Sequence, residues 1–373
     1  MPDTVTAPAS IMISNDASLA AACRRWSAAQ IIGLDTEFIR ERTYHPRPAL
    51  LQVSDAQGVL LVDPTEISDY GSLAEVLADP AVLIVMHACG EDLEVLEVMT
   101  GIAPRRVFDT QLAAAFAGHG YTLGYRDLVA TLLDITLDKG ETRSNWLKRP
   151  LSPSQVHYAT LDVLYLLPLY RDLSADLNRM RRTSWLEEEF AHQRRNHAAD
   201  SRPEASYLRV QGRGVLSPPR HAVLRRLSAW RETVAMARDM PRRHLLPDRA
   251  LIALAGARPP TGGRLQSVNG ISPRFRRRYE STVAKCIRAA LADGPAGVDY
   301  PTNMRPHADT LARMRDTTRQ AAEHLGLAPE VLATRRALES LLAATLKHQP
   351  IPPEFQGWRH AVVTPALLDC TRV

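Results

Sequence analysis

Hydrophobic positions change period along the chain, and each change predicts an element. From Ile31 to Phe38 the sequence reads IIGLDTEF, an apolar β-type run broken by two acids at i and i+2. Side chains two apart on a strand leave the same face, so Asp35 and Glu37 point the same way out of a buried strand. A short strand at Ile11 to Ser14 and a helix from a capping Asp16 through Ala29 precede it. Ala49 to Ser54 and Val59 to Asp63, turning around Gly58, read as neighbouring strands. A helix from Tyr70 to Ala78 ends at Asp79-Pro80, and the wholly apolar Val82 to Met86 is a buried strand. It delivers His87-Ala88-Cys89-Gly90-Glu91-Asp92 to the start of a helix, and Phe108-Asp109-Thr110 caps another through Ala117. Strands first, with helices crossing between them and then dominating, predict an α/β domain with a mixed central sheet.

Tyr121 to Arg149 reads as helical pieces and loops. Ser152-Pro153-Ser154-Gln155 then opens a helix, with Pro in the first turn, that is expected to continue toward Arg182. Tyr158 and Asp162 stand at i and i+4, so they share a face of it. Polar residues with Pro203, Gly212 and Gly214 predict a linker, and the rest is helical and Arg-rich: Ala222 to Arg238, Asp248 to Gly256, a Pro/Gly loop through Gly263, and Pro273 to Leu291. After a break at Gly294 to Pro306 come Leu311 to Leu325, Pro329 to Leu346 and Trp358 to Leu368. The expected organisation is a disordered tail at 1–10, an α/β domain at 11–195, a linker at 196–215, a helical module at 216–293, a linker at 294–305 and a second helical module at 306–373.

Composition narrows the class. The 373 residues suffice for two or three domains with their own cores. No apolar run approaches the ~18 residues of a membrane span, and the N-terminal ten residues lack a secretory pattern, so a cytoplasmic protein without a membrane partner is expected. Cys23, Cys89, Cys286 and Cys370 are too scattered for a zinc site or disulfide framework. The net charge of +5 hides a division: residues 1–200 carry 18 Lys and Arg against 27 Asp and Glu, and residues 201–373 carry 28 against 14. An acidic half suits cations and a basic half suits a polyanion such as nucleic acid.

Burying a carboxylate costs several kcal/mol or more unless a cation or hydrogen bonds offset it, and a divalent ion is the obvious partner for Asp35 and Glu37. Asp92 by itself could be a first-turn acid that favours its helix dipole, and Tyr158 a core aromatic with its hydroxyl at the rim. His87 reads as a hydrogen-bonded structural histidine, since hard-cation sites use oxygen. The run Arg274 to Arg278 could be a solvated helix face.

Taken in order, Asp35-x-Glu37, Asp92 and Tyr158-x3-Asp162 resemble the three exonuclease motifs of the DEDD superfamily, in the subgroup with a tyrosine in its third motif. The LDTEF-x-R-x-x-TY-x-P stretch, H-A-x-x-EDL, Asp109-Thr110, TLDK at Thr136 to Lys139, W-x-x-RPL at Trp146 to Leu151 and Q-x-x-YA-x-x-DV-x-YL are similar to the ribonuclease D family. Leu227 to Arg231 with Asp239-Met240-Pro241 and Pro259 are similar to the helicase-and-RNase-D C-terminal (HRDC) domain, and residues 305–373 resemble a weaker second copy. The sequence departs from the family pattern at Asn145 and at Thr160-Leu161, neither of them a presumed ligand.

The resemblance implies a ribonuclease H-like α/β exonuclease domain followed by two HRDC-type helical domains. It implies a metal-dependent 3′-to-5′ exoribonuclease that releases 5′-mononucleotides from RNA, with tRNA precursors as substrate, acting as a monomer. Four carboxylates of total charge about −4 match two divalent ions, Mg²⁺ or Mn²⁺, about 3.5–4 Å apart. Asp35 would be shared between the ions, Glu37 and Asp162 would hold the one that generates the nucleophile, and Asp92 would hold the other. Tyr158, with an ordinary pKa near 10, would orient the attacking water. The competing expectations are a DNA 3′-to-5′ exonuclease of the same fold and an inactive nucleic-acid adaptor.

Overall fold

Six strands, β1 (Ile11–Ile13), β2 (Ile31–Ile39), β3 (Arg47–Asp55), β4 (Gly58–Val62), β5 (Leu83–Met86) and β6 (Val107–Asp109), form one sheet in the order β1, β4, β3, β2, β5, β6. The β2–β3 and β3–β4 pairs are antiparallel and the other three are parallel, which makes the expected mixed sheet. This computed structural model describes residues 9–138, 140–141, 144–256, 268, 270–295 and 297–372. The first eight residues of the expected tail, Lys139, and the Pro/Gly loop at 257–267 with Pro259 lie outside the described residues.

Helices cover both faces of the sheet. On one side α1 (Asp16–Ala29), α2 (Gly71–Ala78) and α3 (Gly90–Thr100) bury Trp26, Leu73 and Leu96 against Leu34, Leu51 and Val53. Next come α4 (Thr110–Ala117) and α5 (Tyr125–Leu133). On the other face α6 (Pro153–Leu164) and α7 (Leu166–Arg179) bury Ala159, Val163 and Leu166 against Leu50, Leu61 and Val85. Alternate β3 residues therefore serve opposite cores, the period-2 rule of a strand buried on both sides.

Two local expectations are corrected. Asn15, not Asp16, caps α1: its side chain accepts Ser18 N–H at 2.9 Å. Asp16 instead accepts Ser68 N–H and Oγ–H at 2.9 and 2.6 Å, pinning a distant loop. The helix expected from Ser152 toward Arg182 is broken at Tyr165 (φ −100°, ψ 1°). Pro168 explains the break, because it has no N–H for the Leu164 carbonyl and its ring crowds the preceding turn.

The chain divides into two compact units. One comprises Met1–Ile39, Pro46–Phe190 and His307–Val373; the other comprises Arg40–His45 and Ala191–Pro306. In the second unit, α8 (Thr183–Asp200) runs in from the first and is followed by α9 (Pro218–Ala237), α10 (Arg242–Leu245), α11 (Asp248–Gly256) and α12 (Pro273–Asp293). The segment expected as a linker at 196–215 is folded, with Tyr207 and Val210 buried among Leu224, Leu227 and Leu251. Residues 40–45 belong here too. Asp239 accepts the Tyr44 and His45 N–H groups, both at 2.9 Å, and the Tyr44 hydroxyl donates to Glu232, a fully buried acid that Arg242 also pairs.

The C-terminal helices, α13 (Ala308–Leu325), α14 (Pro329–Leu332), α15 (Arg335–Leu346), α16 (Trp358–Val362) and α17 (Thr364–Asp369), pack within the first unit. Trp358 stacks on Trp185 with centroids 5.0 Å apart and meets Phe116 edge-on. Arg359 pairs with Glu189 at 2.5 Å, and Arg182 donates to the carbonyls of Phe116 and Leu325. This segment is nearly neutral, with 8 Lys and Arg against 7 Asp and Glu in residues 307–373, whereas residues 201–306 carry 20 against 7. The positive charge read in the C-terminal half is thus concentrated in the second unit. Among the described residues no helix is long and apolar enough to cross a membrane.

Candidate active site

The site is built from β2 outward. Gly33, two residues before Asp35, sits where a Cβ would lie 2.4 Å from Ser54 Oγ and 3.0 Å from the Leu166 Cβ. Only glycine lets β3 and the start of α7 approach the acidic strand this closely. Asp35 stands opposite Gln52 of β3, and the pairing shifts register between Glu37 and Phe38 as the strand leaves the site.

Asp92 reaches the site from the first turn of α3, and a second acid fixes that turn. Asp109 accepts Ala88 N–H and Cys89 N–H, each at 3.0 Å, while capping α4 through Gln111 N–H at 2.8 Å. Ala88 has φ +55°, a backbone conformation that non-glycine residues rarely adopt, and the paired acceptor compensates for it. Thr110 donates to the Met86 carbonyl, so it accepts from His87 Nδ1–H at 2.9 Å. Burial holds His87 below the ordinary histidine range, so it is a neutral structural residue, as expected. Thr36 reaches across from β2 and donates its hydroxyl to Asp92 at 2.5 Å.

Helix α6 supplies Tyr158 and Asp162. Its start is fixed by a reciprocal capping box between Ser152 and Gln155. Further along, Ser54 Oγ donates to the Val163 carbonyl at 2.7 Å and Tyr125 OH donates to the Leu161 carbonyl at 2.9 Å. The loop before it is anchored by Arg149, which forms a bidentate pair with Asp63 and donates to the carbonyls of Ala49 and Trp146. Trp146 is buried against Tyr158, their centroids 6.0 Å apart, and Gly140 lies close against the Cδ2–Cε2 side of the same ring, with no room for a Cβ. The sequence resemblance gave the W-x-x-R-P-L element without a job; here it holds α6 and orients Tyr158.

All five residues singled out from sequence converge. Burial, then Asp92, Asp162 and Glu37, push the Asp35 carboxyl well above the ordinary carboxylate range. Burial followed by Asp162 and Asp92 raises Glu37 to about 8. Burial raises Asp162 to about 7 and Asp92 to about 6, although Tyr158 and Thr36 hydrogen bonds work the other way. None of the four makes an ion pair with Arg or Lys among the described residues; Arg126 acts on Asp162 only at longer range. Tyr158 is also raised, by burial first and then by Asp162, Glu37 and Asp35, so its phenol remains protonated and donates to Asp162.

Four carboxylates that disfavour one another's ionisation, with no ion-paired cation among the described residues, call for added positive charge. Their oxygens do not close on a single ligating point: among the described residues no three acidic, imidazole or thiol groups do so. Asp92 and Asp162 each give an oxygen to a protein hydroxyl instead. The donor set, all oxygen and four negative charges, fits hard divalent cations, which would draw the carboxylates inward.

Known proteins share this chain's fold and domain content. Residues 10–178 match a 3′-5′ exonuclease family model, and residues 220–287 match the HRDC domain. The chain is 40% identical over 372 residues to ribonuclease D of Pseudomonas paraeruginosa, covering 98% of each chain. It is 32% identical over 358 residues to ribonuclease D of Shewanella sp. (strain ANA-3), covering 95% of this chain and 92% of that one. Among solved structures it superposes on Escherichia coli RNase D, described as an exoribonuclease involved in structured RNA processing, with a TM-score of 0.85 and 29% identity over 97% of this chain and 98% of the other. With the exonuclease fold, the HRDC domain and full-length identity in agreement, the chain belongs to the ribonuclease D family.

Proposed function

We propose that the chain is a 3′-to-5′ exoribonuclease whose centre comprises Asp35, Glu37, Asp92, Asp162 and Tyr158, and that it removes 5′-mononucleotides from structured RNA such as tRNA precursors. The carrying observation is the cluster of four raised carboxyl groups, none of them ion-paired with Arg or Lys among the described residues. Asp35, Glu37, Asp92 and Asp162 would hold two divalent ions, Mg²⁺ or Mn²⁺. Such ions, when bound, supply charge for the non-bridging and leaving oxygens and acidify a water.

The chain's own groups do the rest. Asp35 and Glu37 present their oxygens from one strand face, and Asp92, steadied by Thr36, approaches from a helix start. Tyr158 stays protonated, so it orients the attacking water through its hydroxyl and does not take its proton. Trp146 and Gly140 both pack against the ring and restrict its orientation.

RNA would be gripped by the basic second unit, because phosphate contacts dominate nucleic-acid affinity. On α12, Phe275 is buried and turns Arg274, Arg277 and Arg278 outward, while Arg238 and Arg278 lie over the Tyr279 ring at 5.5 and 5.7 Å. Exposed guanidinium groups beside aromatic faces suit phosphate and unstacked bases. The protein would act in the cytoplasm as a monomer.

The test is to offer 3′-extended tRNA and a matched single-stranded DNA with Mg²⁺ and to identify the products. Nucleoside 5′-monophosphates released from the RNA 3′ end, and lost on chelation, are expected. Release from DNA alone would assign the DNA exonuclease function, and no release from either would leave a nucleic-acid adaptor.

A further inference from the structure

Gln52 is completely buried, yet neither its Nε2 nor its Oε1 has a hydrogen-bond partner among the described residues. Buried side-chain amides are nearly always satisfied, so an amide orphaned at both ends needs a cause. Its place in the sheet supplies one. Gln52 stands directly opposite Asp35 in the antiparallel β2–β3 ladder, before the register shift at Glu37/Phe38. Directly paired residues project from the same face with β-carbons about 5 Å apart, within reach of a glutamine amide.

That face is the one covered by α6. Leu50, two residues before Gln52, and Leu61, its partner on β4, both pack with Ala159 and Val163 of α6. Two residues after Gln52, Ser54 donates to the Val163 carbonyl. The Gln52 amide is therefore enclosed between the strand bearing Asp35 and the helix bearing Tyr158 and Asp162. Leu50 on β3 and Leu61 on β4, neighbours of Gln52 on this face, are apolar, so packing alone does not call for an amide here.

We propose that Gln52 is a positioning residue of the catalytic centre: its Nε2–H donates to the Asp35 carboxylate when divalent ions are bound and fixes the orientation in which Asp35 ligates them. The inference rests on the assignment of Asp35 as an ion ligand. Hydrogen-bonding partners that orient metal-ligating carboxylates typically change metal affinity or activity by about 10–100-fold when removed. A glutamine is suited to the task because it donates without adding charge to a site that already carries four acids.

The test uses the full chain. Gln52→Leu and Gln52→Met remove the amide at similar volume, and Mn²⁺ binding by calorimetry and Tm in chelator are measured beside Asp35→Asn and the wild-type chain. The expected result for both variants is Mn²⁺ affinity weakened about 10–100-fold, with Tm in chelator unchanged or raised, because an unpartnered buried amide has been removed. A structural amide would give the opposite pattern, a lower Tm with wild-type Mn²⁺ affinity, and that overturns the proposal. Using both Leu and Met separates loss of the amide from a packing fault of one side chain. If Asp35→Asn weakens Mn²⁺ binding and the Gln52 variants do not, only the Gln52 proposal fails; if Asp35→Asn leaves Mn²⁺ binding intact, the ligand assignment itself fails.

Discussion

Thr36 donates its hydroxyl to Asp92, joining the acidic strand to the helix that brings the third carboxylate. The hydrogen bond holds Asp92 below the value that burial alone would give it. Thr36→Val keeps the β-branched shape and deletes the donor. Loss of a hydrogen bond to a charged, buried acceptor destabilises by about 1.5–3 kcal/mol, and the looser Asp92 is expected to lower kcat by about 10–100-fold. Steady-state kinetics with thermal unfolding checks both; wild-type kcat would mean that Thr36 only fills space.

The raised carboxyl groups give a pH dependence of unusual sign. A carboxyl with a folded pKa above its unfolded one binds more protons in the folded state, so stability falls as pH rises between the two values. Glu37, Asp162 and Asp92, at about 8, 7 and 6, set the window from about pH 4 to 8. Without divalent ions these groups are expected to make the protein less stable at pH 8 than at pH 5. Ion binding requires ionised carboxylates, so the rise in Tm on adding Mn²⁺ should be larger at pH 8. Equal increments at both pH values, measured by calorimetry, would contradict this.

Arg359 tests the role of the C-terminal helices as a brace. It pairs with Glu189 and donates to the carbonyls of Leu332 and Val331 at 2.8 and 2.9 Å. Removing one partner of a buried pair is strongly destabilising, and Arg359→Ala, which also loses two carbonyl contacts, is expected to destabilise by about 3–5 kcal/mol. RNA affinity at low temperature should be unchanged, since residues 307–373 contribute almost no net charge. For the same reason, truncation after residue 200 strips Trp185 of its stacking partner Trp358 and is expected to yield a poorly stable fragment.

The RNA-binding surface is probed at Arg277 and Arg278, exposed on α12. Each phosphate contact contributes about 0.7 to the slope of log affinity against log salt for single-stranded nucleic acid. The double substitution to Ala should weaken binding and lower that slope by about 1–1.5, with kcat at saturating RNA unchanged. Filter binding over a salt series measures it, and an unaltered slope would place RNA elsewhere.

Much of this was legible in the chain because its signals are local. Asp35-x-Glu37 needs only the two-residue period of a strand, and Tyr158-x3-Asp162 only the turn of a helix. What was not legible depends on partners distant in sequence. Nothing near Gln52 shows that it stands opposite Asp35, and the job of Asp109 appears only once the turn at Ala88 and Cys89 is seen to lean on it. The grouping of residues 40–45 with the helical unit rests on Tyr44 meeting Glu232, 188 positions away. Charge counted by halves also blurred the division between a basic unit at 201–306 and a neutral brace at 307–373.

The most direct measurement follows nucleotide release from a 3′-extended tRNA by the wild-type chain, Asp35→Asn and Tyr158→Phe, each with Mg²⁺ and with chelator, alongside RNA affinity. The wild-type chain should release nucleoside 5′-monophosphates only with Mg²⁺. Tyr158→Phe should lose about 10²–10⁴-fold in kcat, the range for a positioned proton-handling group, while keeping metal and RNA affinity. Asp35→Asn should be inactive yet bind RNA like the wild-type chain. Asp35→Asn turnover within tenfold of wild type, or wild-type release that survives chelation, would contradict a catalytic centre built on these four carboxylates.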